Sequence, residues 1–196
     1  MRIIQGLRGV ICPLVIGCSM VVLSALAGAE PTVQSELITR EAGISPRLRL
    51  GAFAGHWNQR LSFFTVTGAD PVIAEGQADN DLILGGRFVQ LHGFAQVGDT
   101  NHESLNIIGF DEATGLFTLY AADNMSENAS SAHGEFDPES RTFTLTGYVL
   151  DREGIEGYSY QVTYTFESID RFDVRVLKIL PTGSTVKLLE VENSRI

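Results

Sequence analysis

The chain carries four histidines, His56, His92, His102 and His133, none in the spacing of a local metal motif such as HExxH. Metal ligands would have to meet through folding alone, and no metal site is expected. His102 falls in a polar stretch and is expected to be a solvated loop residue. His56 precedes Trp57, so strand alternation turns it to the opposite, outer face. His92 shares a strand face with Phe88, Gln90 and Phe94, and the sequence does not say whether that face points in or out. Carboxylates occur in pairs: Asp79 with Asp81, Asp111 with Glu112, Asp151 with Glu153. Two carboxylates pushed together in a cleft can act as acid and base. Each of these pairs is expected at a turn or strand end, where carboxylates cap and solvate. Asp79-Asn80-Asp81 offers the hard oxygens that calcium takes, without a twelve-residue loop pattern around them. There is no GxSxG elbow and no phosphate loop. No catalytic residue and no cofactor follow from these patterns.

Both cysteines, Cys12 and Cys18, lie near the N-terminus. Arg2 and Arg8 are the only charges before Glu30, Gly9 to Ala29 is almost wholly apolar, and Ala27-Gly28-Ala29 ends the run with small residues. That pattern predicts a secretory signal peptide over 1–29 and export to the periplasm or beyond. Val15-Ile16-Gly17-Cys18 also has the form of a lipobox, so a lipid anchor at Cys18 is the competing expectation. An uncleaved membrane anchor is a third, weakened by Pro13 and by Gly9, Gly17 and Gly28. After the leader no thiol remains, which excludes a disulfide, a thiolate metal site and a cysteine nucleophile there. The same residues hold twelve basic against 24 acidic groups, a net charge of −12. Such a surface repels phosphate backbones and gives no basic patch for anionic lipid, so nucleic acid is not an expected partner, nor is docking on an anionic lipid surface, and the chain is not expected to be an integral membrane protein.

Glu30 to Arg47 is polar, with Pro31 and Pro46, and reads as a flexible tether with a helical turn around Ser35 to Glu41. Leu48 to Phe53 predicts a short helix that plugs one end of the fold. From there to residue 196 the pattern is one of strands, rich in Val, Ile, Thr, Phe and Tyr and broken by turn chemistry. The candidates are His56–Thr67, Val72–Ala78, Leu82–Ala95, Glu103–Phe110, Leu116–Ala122, Ala129–Phe136, Thr142–Leu150, Gly157–Glu167, Arg171–Leu180 and Thr185–Glu192. Connections this short cannot be parallel crossovers. The expected fold is all-β: an antiparallel up-and-down barrel of about ten strands, closed so that no edge is exposed, with a sandwich as the alternative. A membrane barrel is disfavoured because Arg60, Glu75, Arg141 and Glu167 fall at outward positions.

Several blocks carry a family resemblance: Leu50-Gly51-Ala52-Phe53-Ala54-Gly55-His56-Trp57, Leu84-Gly85-Gly86-Arg87-Phe88, Ile107-Ile108-Gly109-Phe110-Asp111 with Gly115-Leu116-Phe117, and His133-Gly134-Glu135-Phe136-Asp137. In this order and spacing they resemble the family catalogued as domain of unknown function 1579, over Leu48 to Arg195. The family is similar in shape to lipocalin-like and nitrobindin-like barrels. The Gly55-x-Trp57 pair resembles the lipocalin opening, which implies that Trp57 caps one barrel end beneath Arg195 of the last strand, with Gly55 beside it. Asn193 stands where an aromatic residue is usual. Nitrobindin-like barrels bind haem through a histidine, and the resemblance therefore implies a haem alternative at His92 or His133. Gly85-Gly86 is expected to permit a bulge or bend, and Gly109 to leave room for a neighbouring side chain across its strand.

Eleven phenylalanines and five tyrosines are core-formers first. An eight-stranded barrel fills its interior or just holds one small ligand, and about ten strands leave more room. The leading expectation is a small hydrophobic ligand inside the barrel. If Trp57 points inward, so do Gln59, Leu61 and Phe63, and with them Phe88, Gln90, His92 and Phe94 form the expected ligand-binding set. The alternatives are a small hydrolase or isomerase using a lumen of converging ionisable groups, with His92 beside a carboxylate, and a structural or interaction domain with a solid core. The oligomeric state is not legible.

Overall fold

The computed structural model describes Ile38 and residues 44–65, 68–150 and 157–196. The expected signal peptide, the lipobox at Cys18 and nearly all of the tether lie outside the described residues. A short helix α1 (Pro46–Arg49) runs into a 3₁₀ turn, Leu50–Phe53. Ten strands follow: β1 (Gly55–Phe63), β2 (Val72–Ile83), β3 (Phe88–Val97), β4 (Thr100–Asp111), β5 (Leu116–Asp123), β6 (Ser130–Asp137), β7 (Thr142–Leu150), β8 (Gly157–Ser168), β9 (Arg171–Ile179) and β10 (Thr185–Arg195). Each pairs antiparallel with its chain neighbour, and β1 pairs with β10, closing the barrel. Pro46 and Arg47, expected in the tether, belong to α1, and Arg47 pairs with Glu112 at 3.0 Å. Ile38, also expected in the tether, is buried against the core.

Alternation makes the strands. In β8, Tyr160, Val162, Tyr164 and Phe166 are buried and the residues between them are not. Aspartates close the turns as their chemistry predicts: Asp111 accepts from the Ala113 N–H and the Thr114 hydroxyl, both at 2.9 Å, and those bonds hold its carboxyl below the usual range. One hairpin departs from the expectation. The reversal between β2 and β3 falls at residues 84–87, where Leu84, Gly85 and Gly86 all take positive φ (52°, 70° and 78°). Gly85-Gly86 is therefore the turn itself rather than a bulge, and Leu82–Ile83 ends β2 rather than starting β3. Asp79-Asn80-Asp81 consequently lies within β2. Alternation sends Asp79 outward to His56 and Asn80 inward, so these oxygens diverge and do not form a calcium site.

The outer wall carries ion pairs such as Arg60–Glu75 at 2.7 Å and Arg171–Glu167 at 3.1 Å. No helix among the described residues is long and apolar enough to cross a membrane.

Candidate functional site

In an up-and-down barrel alternate loops gather at opposite ends. The end that receives the 3₁₀ turn is packed solid. Phe53 sits at its centre, with ring centroids 4.9 to 5.5 Å from Phe143, Tyr164, Phe166 and Phe172. Trp57 is fully buried against Phe172. Its indole N–H donates to the Phe53 carbonyl at 2.9 Å, and the Asn80 side-chain N–H donates to the same oxygen at 3.1 Å, so both lone pairs are used. The Arg195 guanidinium lies 4.1 Å from the Trp57 ring centroid, as the lipocalin-like opening implies. It also donates to the carbonyls of Ala52 (3.2 Å), Ala54 (2.6 Å) and Ile169 (2.9 Å). Gly55 has φ of +132°, and a Cβ there would collide with the guanidinium. These three residues are architectural: they fasten the plug to the last strand.

The described residues do not fill the other half of the barrel. A cavity of about 530 Å³ runs toward a mouth lined by Asp123 and Leu150 at the ends of β5 and β7 and by Ser126, Glu127 and Asn128 after β5. That is within the range of roughly 300–1,000 Å³ typical of small-molecule sites. One wall is apolar and aromatic, with Leu119 on β5, Tyr160 and Val162 on β8, and Val174 and Val176 on β9. The opposite wall, from β1 to β4 and β10, carries neutral polar groups, among them Gln59, Asn80, Asn106 and Asn193. Asn193 is 1% exposed, accepts from the Gln59 side chain at 2.9 Å and donates to the Phe172 carbonyl at 3.2 Å. A polar network thus stands at Asn193, where the family resemblance implied an aromatic residue.

Of the ligand set expected from the sequence, Gln59, Leu61 and Phe63 line the cavity. Phe88, Gln90, His92 and Phe94 do not. The inward face of β3 is Val89, Leu91, Gly93 and Ala95, which places the other four on the outside. Phe88 lies across Gly109, where a Cβ would strike its ring. His92 does sit beside a carboxylate, 2.8 Å from Glu103, but outside the barrel. His133 is exposed on β6. Neither histidine can offer a ring nitrogen to a group in the lumen, so the residues named for haem do not fit it. Among the described residues no cluster of three or more His, Cys, Asp or Glu could hold a metal ion.

His102 is the larger correction. It is 8% exposed, faces the cavity from β4 and packs edge-on to Phe63 at 5.6 Å. Burial pushes its pKa down, and the Asp123 carboxylate at the mouth partly restores it. The Asp123 side chain is engaged locally, accepting from Met125 N–H, Ser126 N–H and the Ser126 hydroxyl. Burial likewise raises the pKa of Tyr158, Tyr160 and Tyr164, keeping these phenols neutral. Tyr160 donates to Ser130 at 3.0 Å. The lining therefore offers hydrogen bonds and apolar area. Among the described residues it does not bring together a nucleophile, a base and an orienting partner.

A crystal structure of Rv2717c from M. tuberculosis is similar in fold, with a TM-score of 0.59 at 13% identity over 78% of this chain and 98% of that one. No curated protein matches the chain. The family described as protein of unknown function DUF1579 matches residues 44–195, and the chain belongs to it.

Proposed function

We propose that the chain is an exported binding protein that holds one small, largely apolar molecule in the open half of its barrel. The observation that carries this reading is the cavity of about 530 Å³ above the phenylalanine plug, with a greasy wall facing a hydrogen-bonding wall. A solid structural core would fill that space, since interiors normally pack with few voids larger than water. Catalysis in the lumen is the weaker reading, because the lining pairs its one described histidine with no carboxylate by a hydrogen bond. Export rests on the apolar leader over 1–29 and on the confinement of both cysteines to it.

Native mass spectrometry of the purified chain, joined to titration with the uncharged dye Nile red, tests binding. The expected result is saturable dye fluorescence with one site, abolished when Leu119→Trp fills the lumen and unaffected by His92→Ala on the outer face. Dye binding that survives Leu119→Trp would refute it. For export, cell fractionation with N-terminal sequencing should find a periplasmic form beginning at Glu30. A membrane-bound form released by Cys18→Ser would instead establish lipidation.

A further inference from the structure

The walls of the cavity also say what kind of head group it takes, an inference that rests on the binding reading above. One side presents the amides of Gln59, Asn80, Asn106 and Asn193, the Ser104 hydroxyl and the His102 imidazole. All are hydrogen-bonding groups without formal charge, His102 being held neutral near pH 7.5 by its burial. Among the described residues no Lys or Arg lines the cavity, while Asp123 and Glu127 stand at its mouth. The nearest cation on the inward side of β9 is Lys178, whose ammonium is seated 4.5 Å over the Tyr158 ring and is not part of the lining.

Asn80 adds a second, independent sign. It is 3% exposed and borders the plug end of the cavity. Its amide orientation is fixed, because the Phe53 carbonyl can only accept and so must face the nitrogen, at 3.1 Å. The Oδ1 atom is left buried with no hydrogen-bond partner among the described residues. Buried acceptors are rarely left in this state, and a donor arriving with a ligand would satisfy it.

We propose that the lumen selects an uncharged amphiphile that brings a hydroxyl or amide N–H donor to Asn80 Oδ1, and that it discriminates against a carboxylate of the same length. A carboxylate placed there would set acceptor against acceptor, with no cation among the described lining residues, and would be desolvated unpaired. Its approach would also pass two acidic side chains at the mouth.

Decanamide and decanoate make a matched pair of nearly equal shape, and 1-decanol supplies a lone hydroxyl. Their displacement of Nile red from the unaltered chain at pH 7.5 reads the preference directly. Decanamide and decanol are expected to half-displace the dye at concentrations at least about tenfold below that of decanoate. In Asn80→Leu, which removes the acceptor and keeps the volume, decanamide should weaken at least about fivefold. Because that variant also loses the bond to Phe53, the ratio on the unaltered chain is decisive. Decanoate that matches or beats decanamide overturns the proposal, most clearly if Lys178→Met then removes its binding. So does failure of all three probes to displace bound dye. If Nile red does not bind at all, the binding reading itself falls.

Discussion

Replacing Arg195 by alanine would leave the Ala52, Ala54 and Ile169 carbonyls short of a donor at a nearly closed barrel end and would strip the cation from Trp57. Charge-assisted bonds of this kind contribute about 1.5–3 kcal/mol each when removed singly, and they are not additive. Arg195→Ala is expected to lower unfolding free energy by about 3 kcal/mol in urea denaturation, and Arg195→Lys to recover less than half of it, since an ammonium lacks the planar fork. A loss below about 1 kcal/mol would show that the pairing is ornamental. Gly109→Ala is a second probe. Its Cβ would drive into the Phe88 ring, and the expected loss is about 1–3 kcal/mol by the same assay. These positions were legible beforehand, Gly55, Trp57 and Arg195 through the family resemblance and Gly109 as a glycine inside a strand. Asn80 and His102 were not. A polar side chain aimed into a lumen has the same sequence appearance as one aimed at solvent, and only the closed sheet tells them apart.

The 3₁₀ turn is the element on which the closed end depends, and Phe53 is its anchor. Phe53→Ala should open a void among Phe143, Phe166 and Phe172 and cost about 3–5 kcal/mol, again read from the urea midpoint. A loss under about 1 kcal/mol would mean that the plug is a surface cover. The plug, the number of strands and the short antiparallel connections could all be read from the sequence, because apolar alternation and Asp/Gly/Pro turn residues mark them. The faces of two strands could not. On β3 the aromatic residues Phe88 and Phe94 point outward while Val89 and Leu91 point in. On β4 the inward row is His102, Ser104 and Asn106, ahead of Ile108. On β3 apolar residues occupy both faces, so alternation does not choose between them, and on β4 the usual rule of apolar inside and polar outside is inverted by a lumen that is not a core.

At the scale of the molecule, His102 ties stability to pH. Burial lowers its folded pKa below the ordinary value of 6.5, so the unfolded chain binds its proton first as the solution is acidified. Its contribution to stability is complete above the unfolded pKa and is lost as pH falls from there toward the folded one. Half-buried Asp173 acts with the opposite sign, its raised pKa favouring the folded state on acidification. The informative quantity is therefore a difference. Between pH 7.5 and 5, the unaltered chain should lose more stability than the His102→Gln variant, and equal losses would remove His102 from the account. The most direct measurement concerns the lumen itself. Crystals grown with a bromine-substituted decanamide report the position of the probe through anomalous scattering. The account predicts one bromine peak inside the barrel, between Leu119 and Val162 on one side and the Gln59–Asn193 pair on the other. Bromine confined to the outer groove beside Phe94, with an interior holding no probe, would contradict it.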